Sequence, residues 1–304
     1  MMNKTAQLLI VFAASCWGLL GLLTRRMSAA GFTFAEMSAS RSLIVSVCLF
    51  VFLLLTDRQK MKIRPRDIWI FAIMGGVGIA LYNVLYFRTM QMITLSASSA
   101  LLYTSPFMVM VLSALIFKDR ITPQKTAALL IAFTGCVMAV GLIGIPDVSG
   151  ITTGGDINVS GILSGLASAL CFSQYTIFGK LALRKYNVLA VTAYAFGMAG
   201  VLLMPFCDGG HIIMLMGESD LNVMNLFALA FLMTLVPFVC YTKGLEKLEP
   251  SRAMVILFVE PLISTIAGRV VYGEALTPVK IAGIALIFLS LIILNLKRAA
   301  HPVS

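Results

Sequence analysis

Residues 256–264 read ILFVEPLIS, which sets a carboxylate and a proline side by side inside an apolar run. Stepping back 155 residues finds LLYTSPFMV at 101–109, where Pro106 stands opposite Pro261 and Ser105 opposite Glu260. The same shift carries Cys16-Trp17 onto Cys171-Phe172, Tyr86 onto Tyr241, Ser96 onto Ser251, Thr122-Pro123 onto Thr277-Pro278, Lys125 onto Lys280 and Phe133 onto Phe288, without a gap. Apolar segments match one another by chance, so the polar and proline identities carry the weight. The chain reads as one plan used twice, with the proline kept in both copies and the charge in one.

Composition says in what medium that plan folds. Of 304 residues, 60% are hydrophobic and 12% charged, against about 45–50% and about 25% in ordinary soluble domains. A membrane helix needs ~20 apolar residues to cross ~30 Å of hydrocarbon. On that measure the first half holds spans at 6–24, 35–55, 68–88, 95–117 and 125–144, and the second at 159–180, 188–206, 222–242, 251–272 and 279–296. Charged, proline-bearing stretches separate them: TDRQKMKIRPRD (56–67), KDRITPQ (118–124) and KGLEKLEP (243–250). Proline ends a helix by removing a donor and crowding the preceding turn. The weakly polar GIPDVSGITTGGDINVSG (144–161) lies mid-chain.

The predicted architecture is an all-α polytopic membrane protein of ten transmembrane helices. Residues 1–144 form the first five-span repeat, 145–158 a periplasmic linker and 159–304 the second repeat. Five is odd, so the second repeat enters the membrane from the opposite side. Inverted repeats are a plan of secondary transporters, whose substrate site lies near the midplane between the halves. Duplication kept for packing alone, as in a channel or scaffold, is the other reading.

Lysine and arginine mark cytoplasmic loops. With the N-terminus inside, 17 of the 23 basic residues fall on that side, including Arg58, Lys60, Lys62, Arg64 and Arg66 in one loop and Lys297 and Arg298 at the end. Both termini are therefore expected in the cytoplasm, and the basic loop is expected to meet anionic lipid headgroups. The excess of basic residues lies in short clusters between apolar blocks, which argues for topology rather than nucleic-acid binding. Five of the six cysteines fall in apolar runs, and His211 and His301 are isolated, so neither a metal centre nor a cofactor site is expected. Lys4 and the apolar stretch to Leu23 imitate a secretory leader, but similar stretches recur down the chain and make this the first span.

Ionisable groups at membrane depth are costly and mark functional candidates. With the ninth span starting near Ser251, Glu260 lies roughly 13 Å deep, near the midplane. It would bind a substrate amine, carry a proton, or tie helices together as a hydrogen-bonded acid. Arg41, ~9 Å below the outer end of the second span, would bind a substrate carboxylate or pair with Glu36 or Glu260. Both in one cavity would suit a zwitterion. Trp17, Tyr82, Asn83, Tyr86, Tyr103, Ser105, Gln174, Tyr175 and Tyr194 offer hydrogen bonds and aromatic faces, although such groups also serve interhelical contacts and interfacial belts. Pro106 and Pro261 are expected to bend their helices beside the cavity. Gly75, Gly76 and Gly78 lie within an apolar span without the Lys-Ser/Thr ending of a phosphate loop, so close helix packing is their reading.

The residues CWGLLGLLTRR (16–26), Arg41, SASSALLYTSPFMVMVLSALIFKDRITPQK (96–125) and LEPSRAMVILFVEPLISTIAGRVVYGEALTPVKIAG (248–283) resemble the drug/metabolite transporter superfamily, specifically its ten-span EamA-type carriers. The resemblance covers nearly the whole chain, and the segment from Glu260-Pro261 to YGEALTP is its most specific part. Where the family has a Gly-Glu pair after the fourth span, this chain has Lys118-Asp119, while Gly273-Glu274 keeps it in the second half. The resemblance implies a basket with spans one to four and six to nine around a central cavity, five and ten peripheral. It also implies export or exchange of small metabolites, often amino acids, across a bacterial inner membrane. The partners expected are a small-molecule substrate, protons and membrane lipids. Rival readings are a membrane-embedded enzyme or flippase-like protein acting on lipid-linked substrates, and a channel or scaffold. The sequence holds no clustered acids, histidines or Walker loop to favour the enzyme or a self-contained pump.

Overall fold

The computed structural model describes residues 4–140, 152–153, 156–273 and 276–295. Most of the linker, Glu274 and the C-terminal Lys297 and Arg298 lie outside the described residues. The helices are α1 (Lys4–Ala29), α2 (Phe34–Thr56), α3 (Pro65–Met92), α4 (Leu95–Leu102), α5 (Ser105–Phe117), α6 (Pro123–Ala139), α7 (Val159–Ala182), α8 (Val188–Leu203), α9 (Gly209–Glu218), α10 (Asp220–Lys247), α11 (Pro250–Ile256), α12 (Val259–Tyr272) and α13 (Pro278–Asn295). Among the described residues, nine continuous or nearly continuous helical stretches are long and apolar enough to cross a membrane. The expected fifth span, α6, has 17 described residues and so spans roughly 25 Å. Thr152–Thr153 pairs antiparallel with Asp156–Ile157, a two-residue ladder in a linker expected to be without strands.

Several helices run past the apolar windows that predict them. Helix α1 continues through Thr24, Arg25 and Arg26, and the Arg25 guanidinium lies 4.4 Å from the centre of the Tyr272 ring. A charge held over an aromatic face is compatible with helix beyond the hydrocarbon. Helix starts are set by capping residues that the sequence displays. Thr33 and Glu36 form a reciprocal capping box at α2, and Thr122, Asn158, Asn187 and Asp208 each accept backbone N–H groups at α6, α7, α8 and α9. The two repeats also end alike: Lys118 after α5 and Gly273 after α12, one repeat shift apart, both adopt the left-handed conformation. Lysine there carries the steric cost that glycine avoids. Asp119 beside it accepts a hydrogen bond from the Ser113 hydroxyl.

The helices pack as interleaved halves. Helix α2 runs along α8, and α6 along α13; α1 packs on α10 and α12, while α7 packs on α3 and on α4 and α5. Helix α3 also touches α8, and α10 touches α2. Exchanging the two halves exchanges these principal pairs, with the contact of α1 on α11 standing for that of α7 on α4. Close crossings use glycine: a Cβ on Gly78 would lie 2.7 Å from the Tyr175 backbone nitrogen, and one on Gly135 would lie 2.6 Å from the Gly283 carbonyl oxygen. Both α3 and α10 contain a π-helical stretch, at Ala72–Leu81 and Phe231–Leu235. In α3 the wider turn coincides with the glycines that press onto α7 and α8.

Candidate functional site

The two prolines mark where helices begin. Helix α4 stops at Leu102 and α5 starts at Ser105; α11 stops at Ile256 and α12 starts at Val259. Pro106 and Pro261 each lie in the first turn of a new helix, where the missing N–H would have no intrahelical partner. The sequence leads one to expect bends inside continuous helices; interruption is the stronger form of the same steric effect. It also places Glu260 in the first turn of α12, where a carboxylate faces the positive end of the helix dipole.

Around these breaks lies a cavity of about 90 Å³, lined by Trp17, Arg41, Tyr82, Tyr103, Ser105 and Glu260 together with Pro106 and an apolar set that includes Phe172, Phe238 and Phe258. Four pairs of lining residues are related by the repeat shift: Trp17 and Phe172, Leu102 and Leu257, Tyr103 and Phe258, Ser105 and Glu260. The Tyr103 and Phe258 rings stand 6.0 Å apart and those of Tyr82 and Phe172 5.1 Å apart. Trp17 packs at 4.7 Å on Phe238. Apolar walls with a few polar groups are the usual composition of a small-molecule site.

The polar groups are unevenly satisfied. The Tyr103 hydroxyl donates to Glu260 Oε1 at 3.3 Å. Arg41 Nη2 donates to Asn83 Oδ1 at 3.4 Å, and neither Arg41 Nε nor Trp17 Nε1 has a hydrogen-bond partner. Buried donors ordinarily have partners, so two orphaned donors at one cavity are an exception that calls for an acceptor. The expected alternatives, pairing of Arg41 with Glu36 or Glu260, are not what the structure forms. Glu36 is engaged by His211 Nδ1 at 2.8 Å and by the Thr33 backbone, and no acid lies within ion-pair distance of Arg41 among the described residues.

The remaining sequence candidates lie elsewhere. Asn83 stands behind Arg41, and Tyr86 stacks on Tyr82 at 5.9 Å while sharing a hydrogen bond with Ser99. Gln174 donates locally to the Leu170 carbonyl and the Ser173 hydroxyl. Tyr175 is buried against Gly78 with its hydroxyl on Thr242, and Tyr194 donates to the Met61 carbonyl at the basic end. A buried hydroxyl needs any partner, not a ligand, which is why residue type alone does not place these groups. Phe172 and Phe258 are absent from the sequence candidates although the repeat pairs them with Trp17 and Tyr103; that pairing is the signal that finds them.

The model of the EamA-like transporter family matches this chain twice, over residues 4–141 and 159–296. The chain belongs to the EamA-like transporter family. It is therefore a multi-pass membrane protein of a transporter family. An uncharacterized transporter of Archaeoglobus fulgidus is 31% identical over 85% of this chain and 87% of its own. The uncharacterized inner membrane transporter YicL of Salmonella typhimurium is 23% identical, with 97% and 96% of the two chains covered. A crystal structure of a protein 20% identical superposes with a TM-score of 0.76 over 97% of both chains, which speaks for the fold.

Proposed function

We propose that this EamA-like protein is a secondary carrier that exports small metabolites of the amino-acid type, or related amines and carboxylates, by alternating access. The observation that carries the proposal is the coexistence, on one cavity, of a guanidinium without an acid partner and a carboxylate bonded to a neutral hydroxyl. Two opposite charges kept apart in a low-dielectric site are costly. A zwitterion bridging them would relieve both, its carboxylate taking the free N–H groups of Arg41 and Trp17 and its ammonium facing Glu260 and Tyr103.

The wider architecture in this reading is ten spans in two inverted halves, 1–144 and 159–304, with both termini in the cytoplasm of a bacterium and the chain in its inner membrane. Two observations support it. The principal packed helix pairs exchange places when the halves are exchanged, and the cavity lies where four repeat-related pairs meet. Carriers of this plan rock one half against the other around such a site. Glu260, the one acid among the described residues that line the cavity, is the group through which a proton gradient would be coupled.

Counterflow in proteoliposomes tests the proposal. Vesicles preloaded with an unlabelled amino acid should accumulate the labelled one, saturably and in competition with related zwitterions. Flux that rises linearly with concentration, without competition, would favour a channel and sink the carrier reading.

A further inference from the structure

We infer that Asn83 is a positioning and specificity-determining residue, which aims the Arg41 guanidinium into the cavity and leaves its charge uncompensated for the anionic group of the ligand. This rests on the reading of the cavity as an amine-and-carboxylate site. Asn83 is held from several sides. Its Nδ2 donates to the Ile79 carbonyl at 2.7 Å, so Oδ1 must face the other way. There it accepts from Ser38 Oγ at 3.1 Å and from Arg41 Nη2 at 3.4 Å. The opposite amide orientation would set oxygen against the Ile79 carbonyl and nitrogen against the Arg41 guanidinium, two mismatches that favour the orientation given. Ser38 is itself buried on α2, one turn before Arg41.

The chemistry of this contact differs from that of a structural arginine. A buried guanidinium held for packing is neutralised by a carboxylate, whose bidentate pairing satisfies its fork. Asn83 gives one neutral acceptor at a long distance and fixes direction without removing charge. Arg41 Nε stays without a partner. One repeat shift away, Phe238 stands in place of Asn83 and Phe196 in place of Arg41, so the second half carries neither member of the pair.

Selectivity, rather than stability, is the readout. The purified full chain is titrated with L-leucine, with 4-methylpentanoate, which lacks the amine, and with 3-methylbutylamine, which lacks the carboxylate. Asn83→Asp supplies Arg41 with an internal carboxylate. It should weaken 4-methylpentanoate and leucine about ten- to hundredfold, the worth of one charge-assisted hydrogen bond or so, and leave 3-methylbutylamine unchanged or tighter. Asn83→Ala removes the acceptor without adding charge, and should weaken the acid relative to the amine in the same direction but less; it decides the matter where Asn83→Asp does not fold. An unchanged acid-to-amine ratio in a folded variant overturns the role of Asn83 while leaving the site reading intact. No binding of any of the three probes by the unmodified chain overturns the site reading, and this inference with it.

Discussion

Replacing Arg41 with methionine should make the protein more stable and useless as a carrier at once. The guanidinium contributes one hydrogen bond to the fold, to Asn83 and at the long distance of 3.4 Å, so worth no more than about 1.5 kcal/mol, the low end for a bond to a charged group. Against that stands a charge in an apolar span with no acid within ion-pair distance among the described residues, a cost of several kcal/mol where such a group is dry. The cavity beside Arg41 softens that cost, so the net gain in Arg41→Met is about 1–2 kcal/mol, the low end of what replacing buried charge by packed apolar groups returns. For a chain of this size that corresponds to a rise of roughly 2–3 °C in midpoint. Thermal unfolding in detergent, followed through Trp17 and Trp69 fluorescence, measures it, and counterflow on the same preparation should fall to background. A lower midpoint in Arg41→Met would refute the reasoning, since it would mean that the fold, not a ligand, satisfies the guanidinium.

Other perturbations probe separate parts of the argument. Glu260→Gln keeps an oxygen for the Tyr103 hydroxyl, so the protein should fold normally while counterflow of amine-bearing substrates drops at least about tenfold, as expected for the loss of a charged partner. Gly135→Val forces a side chain against the Gly283 carbonyl and should cost about 1–3 kcal/mol, the usual penalty of overpacking; Gly21→Val, at a position with open space around it, serves as the neutral control in the same melting assay. The Glu36 carboxylate raises the pKa of His211 above its ordinary value. That ion pair therefore contributes fully below about pH 6.5 and is lost as the pH climbs through the raised value. The melting midpoint should fall across that window, and His211→Asn should flatten the profile.

The sequence revealed more of the plan than of the site, for physical reasons. Span positions are legible because hydrocarbon thickness imposes a length and a composition on every crossing segment. The repeat is legible because capping residues and prolines, such as Thr122-Pro123 and Thr277-Pro278, are constrained by backbone chemistry that apolar drift leaves alone. Arg41 and Glu260 stand out because charge at depth is expensive. Tyr194 and Tyr103 are another matter: both are aromatic hydroxyls in apolar spans, yet one satisfies a loop carbonyl and the other a cavity carboxylate. Only the tertiary fold decides which acceptor comes within reach. The helix breaks at Leu102–Ser105 and Ile256–Val259 were half legible, since proline announces the disturbance but not whether the chain bends or restarts.

The tie at the basic end has no counterpart by the repeat, and this makes a last prediction. At the basic end Asp67, before the apolar part of α3, accepts from Lys185 Nζ at 2.7 Å and from the Tyr186 hydroxyl at 2.6 Å, tying the first half to the loop between α7 and α8. The repeat shift carries Asp67 to Asn222, Lys185 to Ala30 and Tyr186 to Gly31, so this ion pair has no repeat-related counterpart. There Asn222 Nδ2 donates to the Leu215 carbonyl instead. A half-exposed lysine partner makes the tie sensitive to salt, because mobile ions with a Debye length of ~10 Å at 0.1 M screen charges that reach solvent. Asp67→Asn keeps an acceptor for Tyr186 but removes the charge, and should lower the melting midpoint at low salt. Raising salt should weaken the unmodified protein toward the level of the variant, while the variant itself stays nearly constant. Parallel salt curves for the two proteins would place the basic-end closure in packing and hydrogen bonding alone.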